Sequence, residues 1–461
     1  MLNTDTIVAL ATPSGGAIGM VRLSGSDAIT ITARLFKPKN TKINLCEAQA
    51  NTLHYGILHT LKGDEIDEVM VSVYHAPHSY TGEESVEITC HGSSYIMQSA
   101  VHALIDAGAR QARPGEYTQR AYLNGKMDLS QAEAVADLIA STNRATHKIA
   151  LSQLKGHFSN KLLILRDQLL KMTSLLELEL DFSDHEDLEF ANRDELKALA
   201  CTISNHIKSL THSFETGKAL KKGIPVAIVG KTNVGKSTLL NQLLREEKAI
   251  VSDVHGTTRD VIEDTMEIHG VTFRFIDTAG LRHTQDKVER IGIERAYQKL
   301  EEAVIVLWVI DQQPTQKEID QILSHIEDKK VILVKNKADL VSSSNASLSF
   351  PPLLSPLLKI SISAKHGQGI QELEKLIYAT ADIPELDENS VIVTNARHYE
   401  ALSRAQISIS RVIEGLDLNL SGDLLAEDLR ICLEELAEIT GGAITSNEVL
   451  GNIFKHFCIG K

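Results

Sequence analysis

The stretch Gly230-Lys231-Thr232-Asn233-Val234-Gly235-Lys236-Ser237 constrains this chain more than any other part of it. It is a complete GxxxxGK[ST] pattern, entered from the apolar run Ile224–Val229 and left through the helical pattern Thr238–Leu244. A strand, a glycine-rich turn and a helix in that order gather backbone N–H groups and the positive end of a helix around one point, which suits a phosphate chain. Lys236 is then expected to reach the β- and γ-phosphates and Ser237 to ligate Mg²⁺, with Asn233, Val234, Gly235 and Thr238 completing the cradle.

The runs that follow, Phe273–Ile276, Ala303–Ile310, Val331–Val334 and Ile360–Ser363, are short, apolar and separated by helical segments. Continuous apolar strands of this kind imply a mostly parallel sheet covered on both faces, so residues 218–381 are expected to form an α/β domain. Motifs at the strand ends select the nucleotide. Asp277-Thr278-Ala279-Gly280 has the DxxG form, which puts a carboxylate near the metal and an amide near the γ-phosphate. Asn336-Lys337-Ala338-Asp339 ends in a carboxylate able to accept from N1 and N2 of guanine, a donor pair that adenine lacks. Ser363-Ala364-Lys365 offers a backbone N–H to the guanine carbonyl, so GTP is the expected ligand. Between the cradle and DxxG lies Ser252-Asp253-Val254-His255-Gly256-Thr257-Thr258, where Thr258 is the natural second protein ligand of Mg²⁺. Many GTPases place a glutamine after DxxG to orient the attacking water. Leu281 stands there instead, leaving Glu289 as a candidate; the same carboxylate could equally pair with Lys287 or Arg290 on an exposed helix face.

The flanks differ. Residues 1–120 mix β-branched runs such as Ile18–Leu23 and Glu68–Tyr74 with a helical pattern over Ser94–Ala107, an α+β signature. From Ser130 long helices take over, with Leu162, Leu165, Leu169, Leu176 and Leu180 as one stripe before the acidic stretch Asp184–Glu189. After the polar Pro384–Ser390, helical patterns resume over His398–Gly415 and Leu424–Thr440, so the α/β domain is expected to be an insertion in a helical one. With 47 Lys and Arg against 61 Asp and Glu, the net charge of −14 excludes a general nucleic-acid binder. Any RNA contact needs a local patch, and Arg110, Arg113, Arg120 and Lys126 are the candidates. The longest apolar run is eight residues, far below the ~18 of a membrane span, and Met1–Leu10 has no basic leader, so a cytoplasmic protein is expected. Five scattered cysteines form no CxxC pair; Cys46, Cys90, Cys201 and Cys432 read as small buried hydrophobes. Cys458 stands four from the end of the sequence, but Gly460 and Lys461 do not fit a prenylation box.

Taken together, GKTNVGKSTLLN, GTTRD, DTAGLR, VERIGIERA, NKAD and SAK resemble the MnmE (TrmE) family of tRNA modification GTPases. Pro114–Leu129, Gln131–Ala134 and the terminal Cys458-Ile459-Gly460-Lys461 carry the same resemblance through essentially the whole chain. Thr232 stands where the family usually has proline and His283 where an acidic residue is common, and neither is a phosphate or metal ligand.

The resemblance implies four segments: an α+β domain at 1–120 that dimerises and binds a tetrahydrofolate derivative (5-formyl or 5,10-methylene), a helical domain at 121–217 and 382–461, and a GTPase domain at 218–381. Arg22, Glu87, Lys126 and Lys461 would contact the folate; Arg22 and Glu87 alone would pass for solvated surface residues. Cys458 would act in the modification chemistry, or else pack against Phe454 and Phe457. The resemblance further implies a homodimer joined to the flavoprotein MnmG in a heterotetramer, acting on wobble uridine 34 of tRNA to install carboxymethylaminomethyl or aminomethyl at C5. Hydrolysis would be stimulated by K⁺ held by Asn233 and the carbonyls of Ser252, Val254 and Thr257, with Glu289 orienting water once two GTPase domains meet. A loop-capping role for Asn233 is the rival reading. The rival function is a GTP-controlled switch in ribosome assembly or translation.

Overall fold

The computed structural model describes residues 5–181, 192–245, 264–277, 301–323, 329–340, 354, 357–387, 389–442 and 460. The chain divides into two compact units, one of Met1–Ala140, Ala150–Ile207 and Glu400–Lys461, the other of Ser141–Ile149 and Lys208–Tyr399.

The first unit opens with β1 (Ile7–Leu10), β2 (Ile18–Ser24), α1 (Ala28–Leu35), β3 (Phe36–Pro38), β4 (Thr52–His59), β5 (Glu65–Tyr74), β6 (Ser85–His91), α2 (Ser94–Asp106) and β7 (Arg110–Gln111). The strands form a sheet in the order β3-β4-β5-β6-β2-β1-β7, antiparallel except where β7 pairs with β1. Alternation dictates its two faces. Val21 and Leu23, Val69, Val71 and Val73, and Val86 and Ile88 are buried, together with Ala28, Ile31 and Leu35 of α1 and Met97, Ala100 and Leu104 of α2. The intervening positions put Arg22, Ser72 and Glu87 side by side on the other face, in matched register.

Helices follow: α3 (Glu116–Leu123), α4 (Leu129–Ile139), α5 (Arg144–Leu154), α6 (His157–Asp181) and α7 (Arg193–Lys222). α4 begins at a capping box, in which the Asp128 carboxylate accepts from Gln131 N at 2.9 Å and Gln131 Oε1 from Asp128 N at 3.0 Å. Of the expected leucine stripe on α6, Leu162, Leu165, Leu169 and Leu176 are buried; the side chain of Leu180 and the stretch Asp184–Glu189 lie outside the described residues.

The second unit carries β8 (Ile224–Val229), α8 (Lys236–Arg245), β9 (Asp264–Ile268), β10 (Val271–Asp277), β11 (Ile305–Ile310), α9 (Gln316–Leu323), β12 (Lys330–Lys335), β13 (Leu358–Ser361) and α10 (Ile370–Ala381). Among the described residues the sheet order is β13-β12-β11-β8-β10-β9, parallel throughout except for β9. Its central strands β8 and β11 are buried on both faces: Val226, Ile228, Leu307 and Val309 face one core, Ala227, Val229, Val306 and Trp308 the other. Two details depart from the sequence pattern. β9 is an antiparallel edge strand that buries only Met266 and Ile268, too brief an alternation to register. The last strand lies two residues earlier than its apolar run suggests, and Ser363 instead bridges to Gln368.

Residues 141–149 belong with this sheet through the β9–β10 turn: Asn143 Nδ2 donates to Thr272 Oγ1 at 2.8 Å and Ala145 N to Gly270 O at 2.9 Å. The chain enters β8 through Gly223 and leaves α10 through Asp382 and Ile383, and all three line one cavity of about 570 Å³. The last helices are α11 (Ala396–Asp417) and α12 (Gly422–Thr440). α12 buries Leu425, Leu429, Cys432 and Leu436 at helical spacing, packs along α6, and pairs Arg430 with Glu177 at 2.6 Å. The cysteine expectation holds for Cys90 and Cys432 only; Cys46 is exposed and Cys201 half-buried. Asn44 accepts from the Cys46 amide, fixing the latter in a surface 3₁₀ turn with no apolar stripe to bury it.

Candidate functional site

The turn between β8 and α8 is built by positive backbone angles. Gly230 has φ 150°, and a Cβ there would lie 2.2 Å from the carbonyl oxygen of Val309 in β11. Gly235 has φ 96°, and a Cβ there would lie 2.3 Å from Nδ2 of Asn336. Between them Asn233 takes φ 64°, a left-handed conformation that asparagine tolerates. Lys236 opens α8, its ammonium donating to the carbonyls of Gly230 at 2.7 Å and Lys231 at 2.6 Å. Val234 is buried beneath the loop, while Asn233, Ser237 and Thr238 are exposed on its outer side.

Asn336 ties this loop to the far end of the sheet. It is 4 % exposed, donates from Nδ2 to Val234 O at 2.8 Å and accepts at Oδ1 from Ala364 N at 2.9 Å. Asp339 accepts from the Ser363 hydroxyl at 2.5 Å and lies 3.7 Å from His366 Nε2. The Ser363 hydrogen bond holds its carboxyl below the usual range, helped by His366 and Lys365, so it stays a pure acceptor at neutral pH. Lys337 stands in the left-handed region at φ 61°, its ammonium 2.7 Å from Asp311, and Ala338 N donates to Ile362 O at 3.0 Å. The motifs Asn233–Thr238, Asn336–Asp339 and Ser363–Lys365 are thus brought together at the carboxyl ends of parallel strands, where open α/β sheets bind ligands. Asp277 ends β10, paired with Ile228. Thr278, Ala279, Gly280, Glu289 and all of Ser252 to Thr258 lie outside the described residues, so of the proposed Mg²⁺ and K⁺ ligands only Ser237 and Asn233 are described.

A second cluster occupies the face of the first sheet opposite to the one that α1 and α2 cover. Arg22 grips Glu87 Oε1 through Nε at 2.9 Å and Nη2 at 2.6 Å, a two-pronged pair between neighbouring strands. Its guanidinium lies 5.7 Å from the Tyr80 ring centroid and 5.8 Å from that of Tyr117, within cation–π range. Tyr117 donates to the carbonyl of Arg22 at 2.6 Å, and Tyr74 to Glu87 Oε2 at 3.4 Å. Arg22 Nη1 also donates to Gly460 O at 3.4 Å, which brings that glycine to this pair. Lys126 instead donates to Pro77 O at 2.9 Å. Lys461 and Cys458 lie outside the described residues. The three tyrosines and Glu116 were not legible as site residues, since nothing in their local sequence sets them apart.

The expected basic patch is corrected by the structure. Glu116 is 2 % exposed and binds Arg110 at 2.6 Å and Arg120 at 3.2 Å, with Arg113 Nε at 3.5 Å. Arg110 and Arg120 also hold Asp5, at 2.6 and 2.8 Å, and Arg120 holds Glu83 at 3.2 Å. Arg110 and Arg120 are thus engaged by buried Glu116 and the half-buried Asp5 and Glu83 rather than standing as free surface cations.

The family model described as the MnmE helical domain matches residues 129–458, and that described as the N-terminus of the GTP-binding protein TrmE matches residues 6–126. A protein of Phocaeicola vulgatus called tRNA modification GTPase MnmE is 54% identical over 499 residues, covering 100% of both chains. A protein of the same name from Bacteroides fragilis is 55% identical over 469 residues, again covering 100% of both. The chain is also similar to a crystal structure of Aquifex aeolicus Era with GDP and aluminium fluoride. That likeness is 31% identical and covers 40% of this chain and 66% of that one, with a TM-score of 0.27, too low to add to the assignment.

Proposed function

The chain belongs to the MnmE family of tRNA modification GTPases, and from that premise we propose how its residues divide the work. Guanine nucleotide lies between the Asn233–Thr238 loop and the Asn336–Asp339 and Ser363–Lys365 turns. The observation that carries this reading is Asn336, whose amide spans from Val234 O to Ala364 N and sets the distance between a phosphate pocket and a base pocket. Asp339 accepts from guanine N1 and N2. Lys236 exchanges backbone carbonyls for β- and γ-phosphate oxygens, a short step for an ammonium already folded over the loop. The exposed hydroxyl of Ser237, with Thr258, suits Mg²⁺, which when bound neutralises phosphate charge. Asp277 and the Thr278–Gly280 segment, with Ser252–Thr258, would serve the γ-phosphate and its metal.

Asn233 and the carbonyls of Ser252, Val254 and Thr257 would hold K⁺, and the exposure of Asn233 beside the loop is compatible with that role. Glu289 orients water in place of the glutamine that Leu281 replaces. In the N-terminal segment, 1–120, Arg22 and Glu87 would hold a tetrahydrofolate derivative, the cation suiting its carboxylates and the carboxylate its pterin donors, with Lys126 and Lys461 as further contacts. Cys458 takes part in the modification itself. Segments 121–217 and 382–461 form the helical host and 218–381 the GTPase module, in a cytoplasmic homodimer that joins MnmG to modify wobble uridine of tRNA.

Two measurements test this reading. Mass analysis of tRNA nucleosides from cells lacking the protein should show unmodified wobble uridine; a normal pattern would favour a GTP-controlled switch instead. GTP turnover should be faster in K⁺ than in Na⁺, and equal rates would remove the cation role of Asn233.

A further inference from the structure

The connection from β11 to α9, Asp311-Gln312-Gln313-Pro314-Thr315-Gln316-Lys317-Glu318, carries no nucleotide motif, yet it touches both ends of the nucleotide site. At its start, Asp311 holds the ammonium of Lys337 at 2.7 Å. At its end, Glu318 holds the ammonium of Lys231, inside the phosphate loop, at 2.6 Å. Glu318 is itself fixed, because its Oε2 accepts from Thr315 N and Thr315 Oγ1, both at 2.8 Å, as the third residue of a helix that Thr315 caps. One carboxylate oxygen therefore starts the helix while the other reaches the phosphate loop. The two pairs also communicate, since Lys231 contributes to holding the Asp311 carboxyl in its charged form, after the larger effect of the Lys337 hydrogen bond.

We propose that Asp311 and Glu318 are positioning residues that clasp the base-reading turn and the phosphate loop to one short connection, and so set how long a guanine nucleotide stays bound. Neither touches the nucleotide. Glu318 acts through Lys231 on the loop whose carbonyls steer Lys236; Asp311 acts through Lys337 on the turn that presents Asp339. The inference rests on the nucleotide-site reading above.

The test is stopped-flow release of a fluorescent GDP analogue from the full chain, with GDP and IDP affinities measured by competition. Asp311→Asn and Glu318→Gln each remove one charge at nearly constant size, and glutamine also serves as the third residue of a capping box, so the start of α9 survives. Each variant should speed release about 2- to 5-fold, the range of a partly exposed ion pair. They should differ in kind. Asp311→Asn loosens the turn that reads the guanine N2 amino group, so the preference for GDP over IDP falls, whereas Glu318→Gln leaves that preference intact. Raising ionic strength to about 1 M should speed release from the native chain and have little effect on the double variant. Asp339→Asn separates the two readings: if it leaves guanine preference unchanged, the nucleotide site itself is misassigned. If Asp339→Asn abolishes the preference while Asp311→Asn and Glu318→Gln release GDP at the native rate, or shift the preference equally, the clasp is refuted.

Discussion

Replacing Glu116 by glutamine isolates the charge that organises the turn between the first sheet and its helices. The carboxylate receives Arg110 Nη2 at 2.6 Å and Nη1 at 3.1 Å, Arg113 N at 2.8 Å and Arg120 Nη2 at 3.2 Å. Burial alone would raise its pKa, but the Arg110 bonds and charge, the Arg113 amide and Arg120 outweigh burial and bring it from the ordinary 4.5 to about 2. A folded-state pKa below the unfolded one contributes stability that is present above the unfolded value and lost as pH falls through the folded one. The window here runs from 4.5 down to about 2. At 1.36 kcal/mol per unit this amounts to about 3 kcal/mol, similar to the ~3–5 kcal/mol cost of breaking a buried ion pair by removing one partner. Amide hydrogen exchange of residues 116–123 in the full chain measures the loss locally, and Glu116→Gln should speed it about 100-fold at neutral pH. The gap should narrow as pH falls from about 5 to about 3, because the native carboxylate is then losing the same advantage. Exchange within threefold of native at neutral pH, or a gap that ignores pH, would refute the reasoning. The variant should also weaken the Arg22–Glu87 pair, because Tyr117 on the same helix holds the Arg22 carbonyl at 2.6 Å.

Three further outcomes are expected. Gly235→Ala meets Asn336 Nδ2 at 2.3 Å from a φ of 96°, so GDP affinity measured by calorimetry should fall at least about tenfold, while an unchanged affinity would mean the loop is not the phosphate site. Asp339→Asn should weaken GTP and admit xanthosine triphosphate in the same titration, because an amide can donate where the carboxylate only accepted; normal GTP binding would exclude Asp339 as the base reader. Burial pushes the Cys90 and Cys432 thiols up to about 11 and about 12, so iodoacetamide near neutral pH should label exposed Cys46 and spare both, as read by peptide mass mapping.

The α/β unit was legible wherever a physical requirement repeats along the chain. The run Ile224–Val229 coincides with β8 because a strand buried on both faces must be apolar at every position. The Ser94–Ala107 pattern becomes α2 because its apolar residues return at the helical period. What escaped was set by partners distant in sequence. β9 needs only Met266 and Ile268 inward, a pattern that chance produces readily. Arg110, Arg113 and Arg120 read as a basic patch because Asp5, Glu83 and Glu116 meet them only in the fold. Within the candidate site, the nucleotide motifs stood out through spacing, and Asp311 did not, since its partner lies 26 residues away. Glu318 did leave a trace, for Thr315-Gln316-Lys317-Glu318 is a capping-box pattern; only its second oxygen, turned to Lys231, was beyond reach.

Gly223 and Ile383 stand at the rim of a single cavity, although 159 residues of the chain separate them. To the helices on either side, everything from β8 to α10 is a loop whose two ends are already neighbours. The entropy of closing that loop is met inside the module by its own sheet. Heredity can act on such a joint with two cuts, and a module exchanged in this way would have to remake only the contacts that Ala145, Ile149, Leu220 and Ile392, outside those cuts, make with its core. A nucleotide-driven part and the chemistry it serves can then have separate ancestries and still share one chain.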